Sequence, residues 1–372
     1  TWEMTAKAAE LMEAGIDVIN LSVGEPDFPT PENICLAGKQ AIDDGHTRYT
    51  PGGGTMDLKK AVIEKLSRDN DLQYDTSQIL ISCGGKHSLY NASQVLFQTG
   101  DEIIIFSPYW VSFPDFVSVT GAKPVFVNTN PSQQYEPVMD DLKAKISSRT
   151  KGIIINSPSN PTGGVWSDEA VLKILELAEK ADAWVFSDEC YEQLTYDDPF
   201  KSVFNLCGSY NKILTFQSCS KTYCMTGWRV GYFAAPKNLV THLSEIHHGF
   251  AICAPAVSQH AALAALTNSQ NCVDEMKKTI EERCNTLCKG LDEMEIPYSE
   301  PQGGYYVYAN VSSTGLKATD FCFKLLEEGK VIIYPGTLYG DHCDDFVRFS
   351  LTQPTKKIQE AVSRIKKVVS SI

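Results

Sequence analysis

The chain has 372 residues, 43% hydrophobic and 21% charged, which is the composition of a globular protein with room for one large and one smaller domain. Its formal net charge is −13, and no Lys/Arg-rich run overrides that balance. A nucleic-acid-binding surface is therefore disfavoured, and we expect a small molecule as the partner.

Twelve cysteines are scattered along the chain without a C-x-x-C pair or a Cys/His cluster at metal-ligand spacing. We therefore expect no metal site and a reducing compartment, with Cys284 and Cys288 packing one helical turn apart. No apolar run reaches the length of a membrane span, and the first residues lack a signal-peptide pattern. The prediction is a cytoplasmic protein. Because the chain starts at Thr1 rather than Met, an organellar protein with a removed leader stays open.

The first part of the chain alternates short elements with turn-rich loops. The predicted elements are a helix over 5–14, a strand over 18–22 and a helix over 31–44. The turn residues at 24–28 (GEPDF) begin with Gly24, which lets a ligand approach the backbone closely. The loop at 46–55 (HTRYTPGGGT) could cradle a phosphate, but neither it nor 84–88 (GGKHS) matches a P-loop.

From residue 78 onward, apolar strands alternate regularly with helical segments. The predicted strands are 79–82, 102–106, 124–127, 152–156, 183–188, 213–216 and 230–235, with helices at 86–97 and 168–181. Nearly continuous apolar strands are typical of a mostly parallel sheet covered by helices on both faces. This pattern indicates an α/β domain whose site lies at the carboxyl ends of the strands.

Chemically distinctive residues follow five of these strands. They lie at 84–85 (GG), 108–110 (PYW), 156–163 (NSPSNPTG), 188–191 (DECY) and 218–221 (SCSK). Gly85 opens a predicted helix, whose first N–H groups and positive dipole end suit an anion. Because all five segments end strands of one sheet, we expect them to form a single site.

The stretch 218–231 (SCSKTYCMTGWRVG) carries the strongest chemical signal. Lys221 lies among small hydroxyls and apolar residues, a setting that disfavours the charged ammonium and leaves a nucleophilic amine. Such an amine forms a Schiff base with a carbonyl. Ser218, Ser220 and the planar fork of Arg229 offer donors to a phosphate. A reactive amine beside a phosphate site points to pyridoxal 5′-phosphate (PLP); the alternative is an ordinary strand-turn-strand with a surface lysine.

After residue 255 the pattern changes to that of a second, smaller α+β domain. The predicted elements are a long charged helical stretch at 257–294, strands at 303–308, 331–334 and 347–351, a helix at 318–328 and a final helix. The boundary between the two domains falls in a helix rather than in a flexible linker.

Seven motifs together carry a resemblance to a known family. They are 21–28 (LSVGEPDF), 84–86 (GGK), 107–112 (SPYWVS), 156–163 (NSPSNPTG), 187–191 (SDECY), 218–221 (SCSK) with Arg229, and 348–350 (RFS). From about Ala6 to the last helix, the chain resembles the class I aminotransferases of the PLP fold-type I superfamily. It is most similar to the bacterial and plant-type aspartate/prephenate aminotransferase subgroup.

The resemblance implies a fold and a division of the chain. The fold is an α/β large domain, with a mostly parallel seven-stranded sheet between helices, plus a smaller α+β domain. An N-terminal segment, 1–28, packs with the small domain. Residues 29–258 form the large PLP-binding domain, and residues 259–372 form the small C-terminal domain.

The resemblance also implies catalytic and cofactor-binding roles. Lys221 binds PLP and transfers the proton, and Asp188 keeps the pyridine nitrogen protonated because an adjacent carboxylate favours the cation. Tyr191 hydrogen-bonds the phenolic oxygen of PLP. The further cofactor contacts are Asn160 to the same oxygen, Trp110 on the ring face, and Gly85, Lys86, Ser218, Arg229 and the neighbouring subunit's equivalent of Tyr49 around the phosphate. Taken singly, Trp110 also fits a core position, Asp188 a helix cap and Asn160 a turn.

Substrate recognition is implied as well. The implied residues are Gly24, Lys86, Trp110, Asn156, Asn160 and Arg348. Arg348 binds the α-carboxylate from the small domain, and its contact drives domain closure. Lys86 and Thr1 stand where the subgroup recognises an acidic side chain. We therefore expect aspartate or glutamate as amino donor and a 2-oxo acid as acceptor.

The resemblance further implies a homodimer, with no nucleic-acid or membrane partner. Three other functions stay open from the sequence: an aromatic, prephenate or broad-specificity aminotransferase, a carbon–sulfur lyase, and a non-catalytic ligand-binding regulator with the same fold. The regulator is disfavoured because Lys221 and Asp188 are both present and no helix-turn-helix segment or basic extension accompanies the domain.

Overall fold

A computed structural model describes residues 2–372, in which helices flank three sheets. The strands are β1 (Ile19–Asn20), β2 (Ile79–Ser82), β3 (Glu102–Ser107), β4 (Lys123–Asn130), β5 (Glu136–Pro137), β6 (Thr150–Asn156), β7 (Trp184–Asp188), β8 (Ile213–Ser218), β9 (Gly231–Ala234), β10 (Tyr306–Asn310), β11 (Val331–Ile332), β12 (Tyr334–Pro335) and β13 (Phe346–Ser350). The α-helices are α1 (Trp2–Glu13), α2 (Glu32–Asp43), α3 (Met56–Asn70), α4 (Gly85–Leu96), α5 (Phe113–Ser118), α6 (Met139–Lys145), α7 (Asp168–Lys180), α8 (Cys219–Thr222), α9 (Lys237–Ala251), α10 (Ala256–Thr267), α11 (Asn271–Glu293), α12 (Ala318–Lys324) and α13 (Thr355–Val369).

The main sheet has the order β2-β9-β8-β7-β6-β3-β4-β5. Its five central parallel strands are β8, β7, β6, β3 and β4, while β9 runs antiparallel between β8 and β2. The expected mostly parallel sheet is confirmed, but it has eight strands rather than seven. The added strand, β5, consists only of Glu136 and Pro137, which pair with the end of β4. A two-residue strand is too short to show an alternating or continuous apolar pattern in the sequence, so it was not predicted.

The central strands are apolar on both faces because helices cover both sides of the sheet. Along β3, Ile103 and Ile105 pack in one core with Leu89 of α4, while Ile104 packs in another core with Ile174 of α7. This alternation follows from the two-residue period of a strand. The carboxyl ends of the strands meet at one edge, and that edge stays free of covering helices for a site.

The C-terminal part contains the three-stranded antiparallel sheet β10-β13-β12, packed with α11 and α13. The predicted helix at 257–294 is two helices, because Asn268 adopts an extended conformation and ends α10. The side chain of Gln270 donates to the carbonyls of Ala265 and Asn268, which satisfies groups left open at the helix end. The predicted strand at 331–334 divides into β11 and β12, which belong to different sheets. The predicted helix at 318–328 changes from α12 to a π-helical turn over Leu325–Gly329.

The N-terminal segment lies against this C-terminal core. Strand β1 pairs in parallel with β11, and the carbonyl of Leu21 accepts a hydrogen bond from the backbone of Ser350 at 2.7 Å. Residues after β1 therefore run past β13 toward the main sheet. Across residues 2–372, no helix is both long and apolar enough to cross a membrane.

Candidate active site

A cavity of about 680 Å³ lies at the carboxyl edge of the main sheet, bounded on its far side by β13. Eleven of the twelve predicted site residues line it: Gly24, Gly85, Lys86, Trp110, Asn160, Asp188, Tyr191, Ser218, Lys221, Arg229 and Arg348. Asn156 lines it as well. The exception is Tyr49, whose side chain is 79% exposed and borders a separate cavity. Thr1, a candidate for substrate recognition, lies outside the described residues.

One end of the cavity has the donors of an anion site. Helix α4 begins there at Gly85, and within residues 2–372 the N–H groups of Gly85 and Lys86 have no hydrogen-bond partner. The hydroxyl of Ser218 and the guanidinium of Arg229 face the same space. The position of Arg229 follows from topology, because β9 is antiparallel and begins at this edge two residues later. These groups provide directed N–H and O–H donors at the positive end of a helix.

Glycine at position 84 is required by this geometry. Its φ of +93° lies in a region that L side chains rarely adopt, and an added Cβ would lie 2.7 Å from Nη2 of Arg229. Arg229 itself has a left-handed φ of +54°. Its guanidinium is held by hydrogen bonds to the carbonyls of Thr226 (2.8 Å) and Cys83 (3.3 Å). The absence of a side chain at Gly84 therefore lets the guanidinium reach the start of α4.

Asp188 ends strand β7 with a buried carboxylate. The backbone N–H of Cys190 donates to it at 3.3 Å, and no lysine, arginine or histidine in the described chain forms an ion pair with it. Burial raises the pKa of Asp188 to about 6, and the contacts with Cys190 and the charge of Lys221 only partly oppose that shift. A buried carboxylate facing a cavity without a counter-charge suits a cationic ligand atom.

The amine of Lys221 extends into the same cavity from α8. Its Nζ donates to the carbonyl of Gly24 at 2.5 Å, and the hydroxyl of Tyr305 donates to that carbonyl at 3.0 Å. Gly24 is required here because an added Cβ would meet the hydroxyl of Tyr306 at 2.7 Å. Within residues 2–372, Lys221 forms no ion pair, so its amine is held by a neutral acceptor that a ligand can replace.

Arg348 lies on the opposite side, on β13, and is buried. Its guanidinium donates to Oδ1 of Asn160 (3.0 Å) and to the carbonyl of Ser22 (2.6 Å). It forms no ion pair with an acidic residue of the described chain, and its Nε has no partner there. A buried guanidinium without a counter-charge has the planar donor fork that binds a carboxylate.

Three tyrosine rings surround this guanidinium. The centroids of Tyr306, Tyr339 and Tyr334 lie 4.4, 5.2 and 5.7 Å from the Cζ atom of Arg348. Cross-strand pairing places Arg348 opposite both Tyr308 and Tyr334. The sequence analysis named none of these tyrosines as site residues. Tyr306 and Tyr334 fall in predicted strands, where aromatic residues are equally typical of a core, and Tyr339 follows a short 3₁₀ turn outside any predicted strand.

A hydrogen-bond chain joins the strand ends between Asp188 and Arg348. The amide of Asn156 donates to the carbonyl of Asp188 at 3.3 Å, and its oxygen accepts from the backbone of Asn160 at 2.9 Å. Tyr191 is buried and its hydroxyl lies 3.2 Å from that of Tyr306. Burial raises the pKa of Tyr191 well above its ordinary value, so its hydroxyl keeps its proton.

The outer wall of the cavity combines one cation with apolar side chains. The exposed Lys86 places its Nζ 5.4 Å from the centroid of the Trp110 ring, within cation–π range. Leu89, Val111 and Leu338 line the wall beside this pair. Val111 falls in the motif 107–112 and Cys190, beside Asp188, falls in the segment 188–191, whereas Leu89 and Leu338 had no signal in the sequence beyond their apolar character.

The cavity fits PLP on three counts. The unpartnered N–H groups at Gly85 and Lys86 suit its phosphate, and the buried carboxylate of Asp188 suits its pyridine nitrogen. Lys221 supplies the amine that reacts with its aldehyde. The α/β fold and this set of groups are those of a PLP-dependent protein of fold-type I.

The chain belongs to the family described as aminotransferase class I and II, whose model matches residues 16–365. It is a PLP-dependent aminotransferase. The aspartate aminotransferase of Bacillus subtilis is 38% identical over 99% of this chain and 95% of the relative. The aspartate/prephenate aminotransferase of Cereibacter sphaeroides is 38% identical over 98% and 94%. A solved Thermus thermophilus aspartate aminotransferase double mutant superposes with a TM-score of 0.95 at 32% identity, covering 99% of this chain and 96% of that one.

Proposed function

We propose that this aminotransferase uses aspartate or glutamate as the amino donor and a 2-oxo acid as the acceptor. The observation that carries the proposal is that Arg348 and Lys86 both line the cavity that contains the amine of Lys221. Arg229 also lines it, at its anion-binding end. A dicarboxylic amino acid has two carboxylates and one amine, so it can engage both Arg348 and Lys86. Several relatives are named aspartate aminotransferase, and these names support the same substrate class.

When bound, PLP supplies an aldehyde that condenses with amines and a ring that accepts the electrons of the Cα–H bond. Lys221 would hold this aldehyde, give it up to the substrate amine, and then move the proton at the substrate Cα. Its neutral contact with the carbonyl of Gly24 supports that role, since no ion pair has to break. Asp188 would hold the proton on the pyridine nitrogen, because an adjacent carboxylate favours the cationic form of the ring.

The other site residues bind and orient. Tyr191 and Asn160 would hydrogen-bond the phenolic oxygen of PLP, and Trp110 would cover one face of the ring. The phosphate would be bound by Gly85, Lys86, Ser218 and Arg229. Arg348 would bind the α-carboxylate of every substrate. This role is supported by its guanidinium, which donates only to the neutral oxygens of Asn160 and Ser22 in the described chain. Closure of the cavity around a bound substrate would exclude water from the reacting atoms.

A second candidate is the transfer of amino groups to or from aromatic substrates, including prephenate. It is favoured by the apolar outer wall of Leu89, Val111 and Leu338, which suits a bulky ring better than a short acidic side chain. The name of the Cereibacter sphaeroides relative, which includes prephenate, supports this candidate.

We also propose a homodimer in which Tyr49 contributes to the phosphate site of the neighbouring subunit. The proposal is supported by the exposure of the Tyr49 side chain, 79%, and by its absence from the lining of the active-site cavity of its own chain. We further propose that the chain divides into an N-terminal segment, 1–28, a large domain, 29–258, and a small domain, 259–372.

We also propose a cytoplasmic location. Twelve free thiols support a reducing compartment.

The test of the function combines cofactor trapping with donor comparison. Reduction of the PLP-loaded protein with borohydride, followed by peptide mapping, should place the label on Lys221. Turnover should be highest with aspartate and 2-oxoglutarate, or with glutamate and oxaloacetate in the reverse direction. Label on another lysine would reject the assigned site, and a clear preference for phenylalanine or prephenate would select the second candidate.

A further inference from the structure

A buried ion-pair cluster includes two residues that directly adjoin cavity-lining residues in the sequence. It consists of Lys65, Asn70, Glu192 and Gln217, whose side chains are 2%, 4%, 6% and 3% exposed. Within the described chain, the ammonium of Lys65 donates to Oδ1 of Asn70 (2.7 Å), to Oε1 of Gln217 (2.8 Å) and to the carboxylate of Glu192. All three of its protons are therefore used.

The remaining polar atoms of the cluster have hydrogen-bond partners within it or in the neighbouring residues Tyr232 and Glu189. The amide of Asn70 donates to the second oxygen of Glu192 at 3.0 Å, and the hydroxyl of Tyr232 donates to Gln217 at 3.0 Å. The amide of Gln217 lies within 3.5 Å of Oε2 of Glu189. A fully satisfied network of this kind holds its members in one arrangement, because breaking any contact leaves a buried polar group unpaired.

The sequence gives a further reason to regard Lys65 as more than a packing residue. It lies on the face of α3 that carries Leu58, Val62 and Leu66, at helical spacing, where the buried core favours an apolar side chain. Replacing a buried ion pair by apolar residues is often neutral or stabilising, so a lysine here is poorly explained by stability alone.

The position of the cluster connects it to the chemistry. Gln217 directly precedes Ser218 on β8, and Glu192 directly follows Tyr191 after β7. The same two strand ends carry Lys221 and Asp188. Lys65 bonds both ends from α3 and so spans the gap between them.

We propose that this ion-pair cluster positions the two strand ends for transamination, by fixing the separation of Asp188 and Lys221. The inference rests on the proposed roles of those two residues. None of the four cluster residues lines the cavity, so they act through the strand ends and not by touching substrate. A displacement of about 1 Å at reacting groups can lower a rate by roughly a hundredfold.

The test uses the double variant Lys65→Gln/Glu192→Gln, which removes both charges but keeps hydrogen-bonding amides. Three quantities are measured on the PLP-loaded protein: Tm, kcat with KM, and the pH midpoint of the absorption change of bound PLP. We expect Tm within about 4 °C of wild type, kcat lower by about tenfold or more with KM little changed, and a midpoint shift of about half a pH unit or more.

Two further variants keep the test decisive. Gln217→Met leaves the ion pair in place but disconnects β8, and it should change kcat and the midpoint in the same direction by a smaller amount. If the double variant does not fold, the kcat and pH midpoint of Gln217→Met test the positioning role instead, and wild-type values of both would overturn the inference. The control is Arg149→Gln/Glu102→Gln, which removes an ion pair at the amino edge of the sheet and should alter Tm alone.

A folded double variant with wild-type kcat and midpoint would overturn the inference. So would a loss of Tm with unchanged kcat and midpoint, which would make the cluster purely structural. Failure of the wild-type protein itself to bind PLP or turn over substrate would refute the proposed function instead, so the two failures are distinguishable.

Discussion

Asp188 brings a negative charge to the end of a buried strand, and the described chain supplies it with no ion-pair partner. We predict that Asp188→Asn keeps its fold and some PLP but loses most transamination. Leaving the buried pyridinium of PLP without its counter-charge would typically cost roughly 3–5 kcal/mol, or about two to four orders of magnitude in rate. Circular dichroism and steady-state kinetics check the result, and near wild-type turnover by the folded variant would reject this assignment.

The same residue predicts a pH dependence of cofactor binding. Because the pKa of Asp188 is raised to about 6 in the cofactor-free protein, its charge is present above that pH and lost as pH falls through it. PLP affinity should therefore decrease below about pH 6. The phosphate of PLP also titrates near this range, so the informative quantity is the difference between wild type and Asp188→Asn. Parallel affinity curves for the two proteins would contradict the prediction.

Lys86 and Arg348 predict separable effects on substrates. Arg348→Ala should impair every substrate, since all share the α-carboxylate, whereas Lys86→Ala should impair only dicarboxylates. An ammonium–carboxylate contact in a partly desolvated site contributes roughly 1.5–3 kcal/mol, or about one to two decades in kcat/KM.

The comparison is made with saturating PLP, because Lys86 also borders the phosphate end of the cavity. Aspartate and phenylalanine serve as the matched pair of donors. An equal loss on both donors in Lys86→Ala would show that this lysine holds the cofactor and does not select the substrate.

At the scale of elements, the start of α4 depends on a glycine. Gly84→Ala should weaken PLP binding by about tenfold or more, since its Cβ displaces Arg229, and should lower stability by roughly 1–3 kcal/mol through the strained φ. Gly100→Ala is a matched control, because its φ is +99° and nothing lies within 4 Å of its Cβ. Fluorescence titration with PLP and thermal unfolding separate the two effects. Equal PLP affinities in the two variants would contradict the prediction.

At the scale of the whole molecule, Tyr49 predicts a shared active site. Tyr49→Ala and Lys221→Ala should each be inactive alone, and a mixture refolded together should regain up to about a quarter of wild-type activity, because a heterodimer contains one intact site. The measurement is activity after co-refolding, with sedimentation at the assay concentration. An active monomer, or no recovery in a mixture that does form heterodimers, would count against the shared site.

Local sequence was sufficient for the features that depend on a few consecutive residues. Apolar runs located all seven predicted main-sheet strands to within three residues at either end, and the turn at Gly84 and the Lys221 stretch were visible as motifs. The resemblance added roles to those motifs. Local sequence failed where an element is short or is ended by distant contacts, as at β5 and at the break between α10 and α11.

Only the tertiary structure decided which distant groups meet. Arg348 reaches Asn160 across 188 residues of chain, Lys221 reaches Gly24 across 197, and Lys65 reaches Gln217 across 152. No periodicity encodes such pairs, because each depends on how separate elements pack. The sequence by itself determined the α/β class and the strand ends, and it predicted Lys221 as the reactive lysine. Packing decided that the charges of Asp188 and Arg348 have no ion-pair partner, that tyrosines surround Arg348, and that Lys65 is buried. Burial and side-chain partners exist only once the chain has folded.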